Sequence, residues 1–335
     1  MRLVRYGLKA LLVVTMAASA AIAQKEAEAA ASPKQPDFVR LDAARLPISH
    51  KFHVGGDPDW LGIGLGSVWV AVPKTNEVVR INPIRNVVQA RIAVDKEPCY
   101  GIGIGGEHVW VLNCQSRTLT RISPRTNKVD LRVPVVIDPA GEGTIAADLN
   151  NIWFVGNEDG HAGTLVQMNT KGHVVRKVTV GKDSAVVKLG FRSIWVVSSG
   201  EGKVYRVDRR GKVVATVGVA AGPRFATVGA GSVWVLSQSD GSVSRIDPGT
   251  NKVTAVVQAK VPGAGGEISY GGGLIWVTMS GTPVTRIDPG RNKVIDQYGN
   301  YPKADAIRFG FGSVWVSDHG KGDVWKIDPR KMPVR

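Results

Sequence analysis

Four side chains of this sequence could together hold a divalent cation: Glu142, Glu267, Asp305 and His319. Carboxylate oxygens and an imidazole nitrogen suit an ion such as Mg or Ca, which would act as a Lewis acid on a bound carbonyl. A second group mixes acidic, basic and aromatic character: Asp59, Trp60, Tyr100, Arg224, Phe225 and Asp305. That mixture suits a small polar ligand or the end of a peptide. The third group is Cys99 and Cys114, the only two cysteines. No G-x-S-x-G elbow, P-loop, C-x-x-C-H or H-E-x-x-H occurs. The nucleophile-elbow hydrolases, P-loop nucleotidases, c-type haem proteins and zincin-type proteases therefore have no footing here.

The elements that must position these residues are set by tryptophan. Trp69, Trp110, Trp153, Trp195, Trp234, Trp276 and Trp315 recur at a nearly constant spacing. A period of about 40 residues fits one four-stranded sheet and predicts an all-β, seven-bladed β-propeller with antiparallel blades. Blade five shows the unit most clearly. Strand A follows Pro223, and Gly231 turns the chain into strand B with Trp234. Strand C ends in Arg245-Ile-Asp, and Pro248 opens the turn to the outer strand D. Proline presets φ for that turn. Blades three and four use Gly172 and Gly211 instead, as the left-handed residue of a bulged hairpin. The tryptophans are expected to pack between sheets, a large apolar area at each interface. Arg80, Arg121, Arg206, Arg245, Arg286 and Lys326 all fall at one repeat position, so they read as scaffold.

The last unit ends at Lys326–Arg330 (KIDPR) without an outer strand, while an orphan strand, Pro47–Val54 (PISHKFHV), precedes the first. That strand is expected to complete the last blade and leave no open edge between the ends of the chain. Residues 41–330 form the propeller on this reading, 331–335 a tail and 24–40 a flexible tether. Within the lead-in, Asp37–Leu46 could form a short helix or irregular chain. Residues 1–23 read as a signal peptide: Arg2, Arg5 and Lys9, an apolar core at Leu11–Ala18, and an A-x-A site at Ala21–Ala23. The expected location is periplasmic or secreted, with no transmembrane segment in the mature chain.

Strand order places the D–A and B–C loops on one face, around the channel mouth. Residues that break the repeat there are Asp59 and Trp60, Cys99 and Tyr100, Glu142, Ser184, Arg224 and Phe225, Glu267 and Asp305. Of the histidines, His161 and His319 fall on that face. If Gly106-Glu107 is the hairpin turn of blade two, Cys99 lies opposite Cys114, and a disulfide at the mouth is expected in an exported protein. The formal charge is +15. With the Arg series assigned to scaffold, nucleic acid is not the expected partner. A small polar ligand or a protein or peptide is, on a propeller able to stand as a monomer.

Ser232–Val235 (SVWV), Val243–Pro248 (VSRIDP) and Thr250–Val253 (TNKV) resemble the repeats of bacterial YVTN-type propellers, and they are similar to streptogramin B (virginiamycin B) lyase-like propellers. The resemblance covers residues 47–330. It implies the propeller fold, and for lyases of that group a Trp-Phe-Thr-Glu strand and a metal held by Glu and His. The nearest matches here are Trp276–Met279 (WVTM) and Trp153–Gly156 (WFVG), which lack the Glu. No catalytic residue carries over by motif. A non-catalytic binding propeller is the first expectation. A metal-assisted lyase or lactonase, with Glu142, Glu267 and His319 as catalytic candidates, is the alternative.

Overall fold

The computed structural model describes residues 38–138, 142–158, 160–261, 263 and 265–333. The expected signal peptide and most of the tether lie outside the described residues. Seven sheets follow one another along the chain. Blade one runs from Leu61–Gly64 at the channel to Val87–Ala93 at the rim, and blade five from Pro223–Gly229 to Lys252–Val257. In every blade the tryptophan strand is second from the channel. The closing strand Ile48–His53 pairs antiparallel with Asp323–Ile327 and supplies the outer strand of blade seven.

One element differs from the sequence expectation. Val39–Asp42 is a strand, parallel to Lys293–Gly299 and fifth in blade six, followed by a 3-10 turn at Ala43–Arg45. Val39 and Arg40, the last residues of the expected tether, are therefore in the sheet. An open outer edge on blade six satisfies the lead-in's backbone groups. The tail is docked as well. Met332 is buried, and the Pro333 carbonyl accepts a hydrogen bond from Arg286 at 2.9 Å.

The repeated tryptophans are fully buried. Each removes roughly 200 Å² from water, about 5 kcal/mol at 25 cal/mol/Å². Six of them donate Nε1 to the carbonyl five residues back, as Trp69 to Gly64 and Trp234 to Gly229. Directly opposite each on strand C stands the arginine series. Arg245 lies 5.0 Å from the Trp234 ring and donates to Ser232 Oγ, then reaches the next blade's turn at Pro289 O and Asn292 Oδ1. Arg80 and Arg206 do the same one blade on from themselves, and Lys326 grips the turn of blade one at Pro83 and Asn86. The cations are inter-blade clasps. Blade three departs: Gln167 replaces the arginine, and Trp153 Nε1 is buried without a partner.

Candidate functional site

The channel mouth is plugged by aromatic rings. Trp60, Tyr100 and Phe225 are buried. Trp60 meets Phe225 edge-on at 5.8 Å and donates Nε1 to Cys99 O at 2.8 Å. Trp60 and Tyr100 each lean over a glycine of the following blade. A Cβ at Gly101 would lie 3.1 Å from Trp60, and one at Gly143 only 2.6 Å from Tyr100. Burial pushes the Tyr100 hydroxyl up to about 12.

Cys99 and Cys114 form a disulfide with their Cα atoms 5.8 Å apart. Their hairpin has the expected register near its turn, Gly103 opposite Trp110 and Gly105 opposite His108, with Gly106 and Glu107 both left-handed. Towards the mouth it slips, so that Pro98 bridges Asn113 and Cys99 N donates to Leu112 O. The bridge anchors the carbonyl that holds Trp60.

Beside the plug three groups converge. Oxygen and nitrogen atoms of Asp59, Asp305 and His319 all lie within 4.8 Å of one another. His319 Nε2 is 3.8 Å from Asp59 Oδ1 and 3.6 Å from Asp305 Oδ2, and it is buried with no hydrogen-bond partner. Asp59 comes from the D–A loop of blade one, after Pro58. His319 sits in the B–C loop of blade seven, in a turn set by Asp318 Oδ1, which accepts from Gly320 N at 3.0 Å. Asp305 begins strand A of blade seven, where the register shifts between Ala304 and Ile307. Its Oδ1 accepts from Gly266 N at 3.0 Å, leaving Oδ2 free to face His319. Only glycine can present that amide: φ at Gly266 is +86°, and a Cβ would lie 2.1 Å from Thr278 O. Burial, with the Asp305 charge nearby, holds the Asp59 carboxyl well above the usual carboxylate range. The Asp59 carboxylate, aided by Asp305, raises the His319 imidazole against the effect of burial.

Asp59, Glu142, Glu267 and Asp305 line a cavity of about 10 Å³ together with Trp60 and Phe225, room for about one water or ion. Glu142 and Glu267 are held by arginine instead of by the cluster. Arg224 reaches across from blade five to Glu142 at 3.3 Å, and Arg308 is ion-paired with buried Glu267. Burial raises Glu267, opposed by Arg308 and Lys188. Lys188 is pushed down to about 8 by burial, then by Arg308. His161 lies in the long B–C loop of blade three, outside the cluster.

Lys188 and Arg308 escaped the sequence reading although a signal existed. Both stand on strand A opposite the tryptophan, where the other blades carry Gly62, Gly103, Ala146, Thr227 and Ser269. Two long cations among small residues break the repeat as plainly as the mouth residues do.

The fold is a seven-bladed propeller like that of streptogramin B lyase. A solved streptogramin B lyase superposes with a TM-score of 0.71 over 83% of this chain and 96% of that one, at 19% identity. The virginiamycin B lyase of Staphylococcus aureus gives 0.69 over 83% and 98%, at 17% identity. BamB from Moraxella catarrhalis gives 0.59 over 82% and 84%, at 14% identity. At these identities the likeness is one of fold. Neither a protein-family model nor a curated protein sequence matches the chain.

Proposed function

We propose that this chain is an exported binding propeller, cleaved after Ala23, that holds a divalent cation at its channel mouth on Asp59, Asp305 and His319. Through the open positions of that cation it takes the anionic end of a small polar ligand or peptide. The convergence of these three donors carries the reading. Separations of 3.6 to 3.8 Å around a buried, unpartnered imidazole nitrogen suit donors about 2.1–2.4 Å from a shared ion. Asp59 and Asp305, though not His319, also face an ion-sized cavity that they share with Glu142 and Glu267. Asp305 also has the outer support that orients a ligand, the Gly266 amide. The Cys99–Cys114 bridge supports an oxidising compartment.

A binding role follows from what surrounds the ion. The remaining mouth carboxylates, Glu142 and Glu267, are each engaged by an arginine. The test is calorimetric titration of the chelator-stripped protein with Mg, Ca, Mn and Zn. One of them should bind, and His319→Ala should weaken that binding by about tenfold or more, the scale of losing a well-oriented ligand. No binding by any of the four, or equal binding by the variant, rejects the site.

The second reading is a metal-assisted lyase or lactonase, in which a cation held by Asp59, Asp305 and His319 would act as a Lewis acid. A catalytically inactive variant of virginiamycin B lyase has been solved with quinupristin. Turnover of quinupristin or a simple lactone, abolished by EDTA, would move this chain from binder to enzyme.

A further inference from the structure

The face opposite the mouth is made of the A–B and C–D turns, and its chemistry is unlike that of a plain solvated surface. Five bulky apolar side chains project from those turns. Leu65, Phe191 and Phe311 occupy the first position of two-residue A–B turns in blades one, four and seven, Leu149 the matching turn of blade three, and Ile84 the C–D turn of blade one. They are exposed, Ile84 and Leu149 by 78% and 77% and Phe311 by 42%. Leu65, Phe191 and Phe311 have φ of +50°, +51° and +52°. Asn or Gly is the favoured residue at such a position, and a bulky apolar one is strained there. Local folding gives no reason for large apolar residues in that conformation, and each keeps more than a third of its surface in water.

A basic collar surrounds these tips. Arg85, Arg125, Lys171, Arg192, Arg210 and Arg291 are all exposed in the same set of turns. The C–D turns carry carboxylates as well, and Asp288 pairs with Arg291 of the collar at 3.7 Å. Asp208, Asp247 and Asp288 accept from backbone amides of their own turns, and Asp328 pairs with Arg330. Between the Phe311 tip and the turn of blade one lies a groove of about 370 Å³ bordered by Asn86, Lys326 and Arg330. Aromatic and aliphatic tips amid Arg and Lys, at loop ends on one face, match the interfacial zone of an anionic bilayer. The apolar ends enter the headgroup region while the cations meet the phosphates.

We infer that this face docks the propeller on an anionic lipid surface, turning the cation site away from the bilayer. It is independent of what the mouth binds. The test is co-sedimentation of the mature chain, residues 24–335, with phosphatidylcholine vesicles, with and without phosphatidylglycerol. Binding is expected on the anionic vesicles and is expected to fall as salt is raised. The triple variant Leu65→Asn, Phe191→Asn, Phe311→Asn should bind about tenfold more weakly or worse. Its melting temperature should hold or rise, because Asn suits the left-handed turn. A second variant, Arg85→Glu with Arg125→Glu and Arg210→Glu, should lose the preference for anionic lipid. Equal pelleting of the wild type and the Asn variant, or no pelleting at all, overturns the inference. So does tip-dependent self-association in the ultracentrifuge without vesicles, which would make the face a protein interface.

Discussion

Lys188 is the residue whose chemistry its neighbours alter most usefully. Its folded value of about 8 lies below the 10.5 of an ordinary lysine, through burial and the nearby Arg308. A cation whose folded value is depressed costs stability in full below that value, and the cost fades as pH rises towards the unfolded value. Lys188→Met should therefore stabilise the protein at pH 7, by on the order of 1 kcal/mol. The gain should shrink between pH 8 and 10.5. Urea midpoints across that range check it, and a gain that grew with pH would contradict the assignment. What was legible in sequence were the residues that stand out within their own blade. Asp59, Asp305 and His319 were each visible as breaks in the repeat. Their grouping was not, because it depends on which carboxylates the arginines claim. Arg308 takes Glu267 from the neighbouring blade six, and Arg224 of blade five takes Glu142 from blade three.

At the scale of elements, blades one, two, four, five and seven each reach the next blade through a strand-C cation, and the worth of one such clasp can be measured. Arg245→Ala removes the contact with the Trp234 ring and the bonds to Ser232, Pro289 and Asn292. The expected cost is about 2 to 3 kcal/mol in denaturant midpoints. Arg245→Lys should recover part of it, since Lys326 already holds the corresponding carbonyl and Asn with one ammonium. A lysine variant as unstable as the alanine one would mean that the Ser232 bond carries the clasp. The disulfide is a separate local element. Its cysteines are 15 residues apart, so replacing both with Ala should cost about 3 kcal/mol on the loop-entropy estimate. It should also loosen Trp60, which hangs on the Cys99 carbonyl. Reductant should lower the melting temperature of the wild type and leave that of the double variant unchanged. Turn chemistry made the hairpins legible from sequence, down to left-handed Gly172 and Gly211. The slip at Pro98 was not legible, since a two-residue shift leaves the same side chains on the same face.

For the whole molecule the period of the tryptophans decided the architecture, and a missing outer strand decided where the ring closes. The strand at Val39–Asp42 had no such signal. It pairs in parallel with a blade that already has its four strands, so no repeat unit lacks it. Closure itself rests on Ile48–His53, the segment that binds the first part of the described chain to the last. Phe52 is its buried anchor, with its ring 5.7 Å from that of Trp315. Phe52→Ala should lower stability by about 3 to 5 kcal/mol, the scale for emptying a buried phenylalanine site. How the transition changes is more telling than the size of the loss. If the ring opens only when the whole propeller unfolds, the denaturant midpoint falls while the slope stays at its wild-type value, because the surface exposed is the same. If the seventh blade can detach first, the variant shows a shallower slope or a second, earlier transition. The clasps argue for the first outcome. Lys326 ties blade seven to the turn of blade one, and Arg286 ties blade six to the tail at Pro333, so losing one anchor leaves the seam joined on both sides.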